Sequence, residues 1–275
     1  MLKIVTLGPA GTFSELATKK FIQQQSSVCD VNFLPTIRKV LHEIGQSCDI
    51  GIIPIENFSE GFIALVLDLL VELDLCIVDE VMLPIEFSFV SNARRLKEID
   101  QLFVQFVAQG QCLEFIQNLN NVNIHLTESN IESLEKCISA NDKAGAIVPS
   151  GSFSPRDFAS TINKVNDYDN NQTRFLALTK NPAKTTPWLA NKTSIIVLDD
   201  DDHPGLLGEV LQSFSSRGIN LTNIISRPTR RMFGKYHFFI EFEGNKQDAN
   251  VAAALKEVGK RNKVKMLGSY KAATL

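Results

Sequence analysis

Residues 3–21 read KIVTLGPAGTFSELATKKF. Residues 3–8 are mostly apolar and β-branched, and Pro9 follows Gly8 in a turn, which predicts a buried strand. From Thr12 to Phe21 the pattern turns amphipathic. Thr12 and Glu15 have the spacing of a capping box, in which a hydroxyl and a carboxylate each satisfy a backbone N–H at a helix start. A strand passing to a helix through a glycine turn is the repeating unit of an α/β fold.

Working outward, the unit recurs. Strands are predicted at 31–34, 49–54 and 75–81, with helices at about 36–46 and 62–74. Beyond 81 the pattern resumes with different elements: strands near 85–91, 101–107, 122–126 and 144–148, and helices near 110–119 and 130–140. Ser129 and Glu132 give the last helix a second capping box. The alternation suggests parallel α/β sheets in two lobes, one about 1–80 and 160–179, the other about 81–159. Each lobe presents a capped helix start, where unpaired N–H groups and a partial positive charge favour carboxylates or phosphates.

Residues 180–192, KNPAKTTPWLANK, hold two prolines and little periodicity, as a linker would. The module 193–275 then alternates compactly: strand 193–198, helix 205–216, strands 219–227 and 235–243, helix 247–259, strand 263–270. This βαββαβ order is the ferredoxin-like split unit.

The 275 residues suffice for two or three modules with sizeable cores. The net charge is −3 and the lysines and arginines are scattered, which argues against a nucleic-acid surface. The most apolar stretch, 62–75, is broken by Asp68, Glu72 and Asp74, so no membrane span is expected. The N-terminal run lacks the features of an export signal. Five cysteines without a C-x-x-C pair fit a reducing cytoplasm and a packing role. The four histidines have no metal-ligand spacing, and the run Asp199–Asp202 reads as a solvated turn rather than a calcium loop. No metal and no cofactor are expected.

Several ordered motifs resemble the prephenate dehydratase family: Gly8-Pro9-Ala10-Gly11-Thr12-Phe13-Ser14-Glu15, Pro54-Ile55-Glu56-Asn57, Thr127-Glu128-Ser129 and Asn171-Gln172-Thr173-Arg174-Phe175. The C-terminal module resembles an ACT domain through His203-Pro204-Gly205-Leu206-Leu207, Gly218-Ile219-Asn220-Leu221 and Ser226-Arg227-Pro228. The resemblance spans nearly the whole chain in order. It implies a two-lobed, type II periplasmic-binding-protein-like catalytic region with an interlobe cleft. It also implies a homodimer or homotetramer, and L-phenylalanine bound between ACT domains as an inhibitor, at Gly205, Leu206, Leu207, Ser226, Arg227 and Pro228.

The implied reaction is the decarboxylating dehydration of prephenate to phenylpyruvate in phenylalanine synthesis. Such a site needs a donor at the leaving hydroxyl and an anchor for the side-chain carboxylate. The resemblance makes Thr173 the donor. Arg174 offers paired hydrogen bonds to a carboxylate. Asn57, past a strand end, and Gln111 are further catalytic candidates, with Glu128 to orient the hydroxyl network. Thr12, Ser14, Ser129 and Phe175 are substrate-binding candidates. Taken alone, each has a plainer reading: Thr173 and Phe175 as strand packing, Arg174 in a salt bridge, Asn57 in a turn, Gln111 on a solvated helix. Val104, Phe58 and Phe87 depart from the family pattern and are expected to make the cleft more apolar, and Ile225 replaces a glutamate before Ser226. The alternatives are a decarboxylase that leaves the ring non-aromatic and a ligand sensor without turnover.

Overall fold

The computed structural model describes residues 1–25, 28–119, 121–182, 190–198, 203–230 and 232–273. Most of the expected linker and the run Asp199–Asp202 lie outside the described residues. In chain order the first elements are β1 (Leu2–Leu7), α1 (Phe13–Gln23), β2 (Cys29–Leu34), α2 (Ile37–Glu43), β3 (Ile50–Asn57), β4 (Gly61–Phe62), α3 (Ala64–Glu72) and β5 (Cys76–Pro84). Then come β6 (Phe87–Ser91), β7 (Gln101–Gln105), α4 (Phe106–Gly110), α5 (Leu113–Gln117), β8 (Asn123–Thr127), α6 (Asn130–Ser139), β9 (Ala144–Pro149), β10 (Ser160–Asn163) and β11 (Gln172–Thr179). The last module holds β12 (Lys192–Leu198), α7 (Leu206–Ser215), β13 (Leu221–Pro228), β14 (Tyr236–Glu243), α8 (Ala249–Val258) and β15 (Lys263–Tyr270).

The described residues form three sheets. The first has the order β2-β1-β3-β11-β5, with β4 beside β3; the second runs β10-β6-β9-β7-β8; the third runs β13-β14-β12-β15. Neither of the first two is purely parallel, as the strand–helix alternation suggested. β11 lies antiparallel to both β3 and β5, and β6 lies antiparallel to β9 and β10. The reason is connectivity: the chain leaves the first sheet after β5, builds the second, and returns through 164–171 so that β11 enters from the opposite end. β10 belongs to the second sheet, while β5 continues to Pro84 in the first. The sheets therefore divide a few residues beyond 81 and 160.

The stretch 101–119 also differs from its reading. The strand stops at Gln105, whose side-chain carbonyl accepts from Val107 and Ala108 N–H and starts α4. Two one-turn helices follow in place of one continuous helix.

Each sheet buries an apolar layer, and one layer is shared. Val5, Ile53, Ile55, Leu67, Leu70, Ile77, Leu176 and Leu178 of the first lobe pack in the same cluster as Ile196, Phe239, Leu267 and Tyr270 of the third sheet. The approach is close enough to demand glycine at one point: a Cβ on Gly268 would lie 2.3 Å from the Ile77 carbonyl oxygen. Among the described residues no helix is long and apolar enough to cross a membrane.

Candidate active site

The chain crosses between lobes at 85–86 and at 164–171, and the Ile85 N–H donates to the Asn171 carbonyl at 2.8 Å where the crossings meet. A cavity of about 440 Å³ opens between the lobes. Two helix starts border it, Thr12-Phe13-Ser14 of α1 and Glu128-Ser129-Asn130 of α6. The strand ends carrying Asn57, Thr173 and Phe175 supply the rest, with Gln111 and an apolar wall that includes Phe13, Phe62, Ile85 and Phe87. The lobes touch at the rim: Phe13 meets Phe87 edge-on at 5.4 Å, and the space where Gly11 has no Cβ is filled by Ile131 of α6.

Strand alternation decides the fate of the residues around Thr173. Side chains along β11 point to opposite faces in turn, so Thr173 and Phe175 line the cavity while Arg174 does not. Thr173 stands opposite Asn57 in the ladder, and the Asn57 Nδ2 donates to Thr173 Oγ1 at 2.8 Å.

Arg174 faces the third sheet and is 5 % exposed. It pairs with Glu56 at 3.1 Å, Glu80 at 3.1 Å and Glu241 at 2.8 Å, and its guanidinium lies over the Phe62 ring. Burial works against that charge, but Glu241, with lesser help from Tyr270 and Glu80, raises its pKa further. For Glu241 too burial disfavours charge, yet Arg174 and Lys192 outweigh it and hold the carboxyl below its usual range. The expectation that Arg174 anchors a substrate carboxylate is therefore corrected: its donors are committed to three protein carboxylates.

Other expectations also change. Thr12 borders the cavity but donates to the Pro9 carbonyl at 3.0 Å and does not cap α1; the Glu15 carboxylate accepts from Gly11 N–H instead. The second box forms, with Ser129 Oγ accepting from Glu132 N–H at 3.1 Å. Glu128 is exposed on the far rim, and the bond that reaches Thr173 comes from Asn57 rather than from Glu128. Gln111 is buried between α4 and α5, not on a solvated helix face, and its Oε1 accepts from Asn171 Nδ2 at 2.9 Å.

Of the three departures expected to make the cleft apolar, only Phe87 lines it. Val104 is core, and Phe58 is 71 % exposed. Burial pushes the neighbouring Cys112 thiol up to about 12, which removes it as a nucleophile at neutral pH.

Residue-type reasoning missed Ser59, Asn130 and Asn171. Asn130 lines the cavity with a buried Oδ1 that has no partner among the described residues. No periodicity or charge pattern marks it. Among the described residues that line the cavity there is no lysine, arginine or histidine. An anion held here relies on backbone N–H groups of the two helix starts, where the first turn lacks intrahelical acceptors, and on neutral side chains.

The effector candidates lie in the third sheet's module. β12 and β13 both run antiparallel to β14, so Gly205-Leu206-Leu207 after β12 and Ser226-Arg227-Pro228 closing β13 share one end of the sheet. Gly205 starts α7 in the left-handed conformation, and Leu206 is buried. Ser226 and Pro228 are exposed on the edge strand. Arg227 turns to the first lobe, where Nε and Nη2 donate to Asp68 of α3 at 2.8 and 3.0 Å.

Comparison with known proteins agrees with this architecture. Residues 4–183 match the family model described as prephenate dehydratase, and 194–260 match the ACT domain model. The chain is 31% identical to a bifunctional chorismate mutase/prephenate dehydratase of Aquifex aeolicus, over 100% of this chain and 75% of that protein. It is 30% identical to a prephenate dehydratase of Methanocaldococcus jannaschii, over 95% of each. Among solved structures, the prephenate dehydratase of Arthrobacter aurescens in complex with L-Phe superposes with a TM-score of 0.84 at 28% identity, over 99% of this chain and 90% of that one.

Proposed function

The chain belongs to the prephenate dehydratase family, and from that premise we propose that its cleft converts prephenate to phenylpyruvate, water and carbon dioxide. Prephenate carries two carboxylates and a ring hydroxyl. As the ring carboxylate leaves as carbon dioxide, its bonding electrons pass into the ring and the ring C–O bond breaks, so aromatisation supplies much of the driving force. The protein's task is placement and charge stabilisation.

One observation carries the assignment of the donor: Asn57 donates to Thr173 Oγ1 at 2.8 Å. With that lone pair occupied, the Thr173 O–H is left to point into the cavity that Thr173 lines. There it meets the departing ring oxygen as negative charge grows on it. The oxygen leaves as water, its proton delivered through the Thr173 hydroxyl and replaced from solvent. The two helix starts suit the side-chain carboxylate. The apolar wall of Phe13, Ile85 and Phe87 suits carbon dioxide better than the carboxylate it replaces.

Effector control follows from the ACT domain. L-phenylalanine binds at Gly205–Leu207 and Ser226–Pro228 between two copies of the chain, since Ser226–Pro228 lie on the exposed edge strand β13 and Gly205–Leu207 stand at the same end of the sheet. The assembly is a homodimer or homotetramer in the cytoplasm.

The test is product identity. Incubation with prephenate should give phenylpyruvate, read as its enolate absorbance in alkali and by mass. Thr173→Ala should lower kcat by roughly 10²–10⁴-fold, the usual worth of a positioned proton donor, while Thr173→Ser retains most of it. A non-aromatic decarboxylated product would refute the reading.

A further inference from the structure

Thr173 ends a longer chain of hydrogen bonds, all running in one direction. Asn171 Nδ2 donates to Gln111 Oε1 at 2.9 Å, and Gln111 Nε2 to Ser59 Oγ at 3.4 Å. Ser59 Oγ–H donates to Asn57 Oδ1 at 2.7 Å, and Asn57 Nδ2 to Thr173 Oγ1 at 2.8 Å. The orientation of the Asn57 amide is enforced independently. Its Oδ1 also accepts from the backbone N–H groups of Ser59 at 3.0 Å and Glu60 at 3.2 Å. Only the oxygen can take these three donors, so the NH₂ must face Thr173.

The chain also crosses the cleft. Asn57 and Ser59 belong to the first lobe, where they follow β3. Gln111 belongs to the second, and the Asp167 N–H donates to its backbone carbonyl at 2.8 Å. Asn171 is buried in the returning crossing, with its carbonyl accepting from Ile85 of the other crossing. Gln111 to Ser59 is the longest link and the one that joins the lobes. Separating the lobes breaks it first.

Building on the dehydratase reading, we propose that Ser59 and Asn171 are positioning residues. They fix the direction of the Thr173 hydroxyl through Asn57 and Gln111, and they complete that alignment only when the lobes close. Neither needs to touch substrate. The two backbone N–H groups set which way the Asn57 amide faces, the Ser59 hydroxyl ties that amide's position to Gln111 across the cleft, and Asn171 Nδ2 holds the Gln111 carboxamide in place.

Ser59 is exposed, so Ser59→Ala should fold normally. Its kcat for prephenate should fall about tenfold, the scale of one neutral hydrogen bond acting on a barrier, with KM within about twofold. Ser59→Thr, which keeps the hydroxyl, should restore kcat. A second arm uses no activity: hydrogen exchange of the 57–63 segment, read by mass spectrometry with and without Gln111→Ala or Asn171→Ser. Removing a partner in the other lobe or the crossing should speed exchange at 57–63 about threefold or more, because the amides of Ser59 and Glu60 depend on Asn57 Oδ1. A rise in KM at constant kcat, failure of Ser59→Thr to restore turnover, or unchanged exchange at 57–63 each overturns the proposal. A wild-type protein without turnover of prephenate overturns the dehydratase reading instead, and the exchange arm still decides whether the chain exists.

Discussion

Thr173 and Arg174 are adjacent, and one step along a strand sends them to different tasks. Thr173 meets the cleft, whereas Arg174 ties β11 to Glu241 of the ACT sheet. Arg174→Met would leave Glu241, which is 0 % exposed, with Lys192 at 3.7 Å in place of Arg174 at 2.8 Å, while Glu80 keeps Lys192 at 3.0 Å. Removing one member of such a buried pair costs roughly 3–5 kcal/mol. The melting temperature should fall by about 10 °C, with KM for prephenate within about twofold in the folded fraction. A substrate anchor would give the opposite, a large rise in KM at little cost in stability. The motif marked both residues, but the sequence alone offered no way to divide them. β11 went unassigned in the periodicity, and the partners Glu56, Glu80 and Glu241 lie 118, 94 and 67 residues away. Chemistry carried by a local motif was legible, but pairing across such separations was not.

Among the elements, α3 lies between the cleft and the ACT domain. It follows Phe62, which lines the cleft and meets Phe239 of the ACT sheet at 6.2 Å. The ACT domain holds α3 at two places. Arg227 and Arg230 hold Asp68, and Lys265 Nζ donates to the Val71 and Leu73 carbonyls at the helix end. Hydrogen bonds from Arg227 keep the Asp68 carboxyl below its ordinary value. A carboxylate whose folded pKa is depressed contributes fully above its unfolded value, near 3.9, and loses that contribution as pH falls through the lower folded value. Asp68→Asn should therefore cost about 1 kcal/mol at neutral pH. The gap from wild type should close below about pH 4, as read from melting temperatures across pH. Helices and strands with clean periodicity were legible nearly to the residue, as in β15 (Lys263–Tyr270). The split of 106–117 into two short helices was not, because the Gln105 side chain starts a new helix where propensity alone continues the strand.

For the whole molecule, residues 180–192 read as a linker, and the modules on either side of it share a core. Ile196, Phe239, Leu267 and Tyr270 complete the layer begun by Ile77 and Leu176. No local pattern foretells this, since the apolar faces of both sheets read alike whichever surface covers them. That no lysine, arginine or histidine stands among the described residues lining the cleft has a consequence for how a ligand arrives. Glu60 and Glu128 stand at its edge, both exposed, and the chain is net negative. A dianion approaching this mouth gains no long-range attraction, unlike one drawn to a basic funnel, whose capture rate falls steeply as salt screens the field. Capture here depends on collision and on the short reach of two helix ends. With prephenate as substrate, kcat/KM should stay within about twofold, or rise, as ionic strength goes from roughly 0.05 to 0.5 M. A fall of tenfold would mean that a positive charge outside the cleft guides the ligand in.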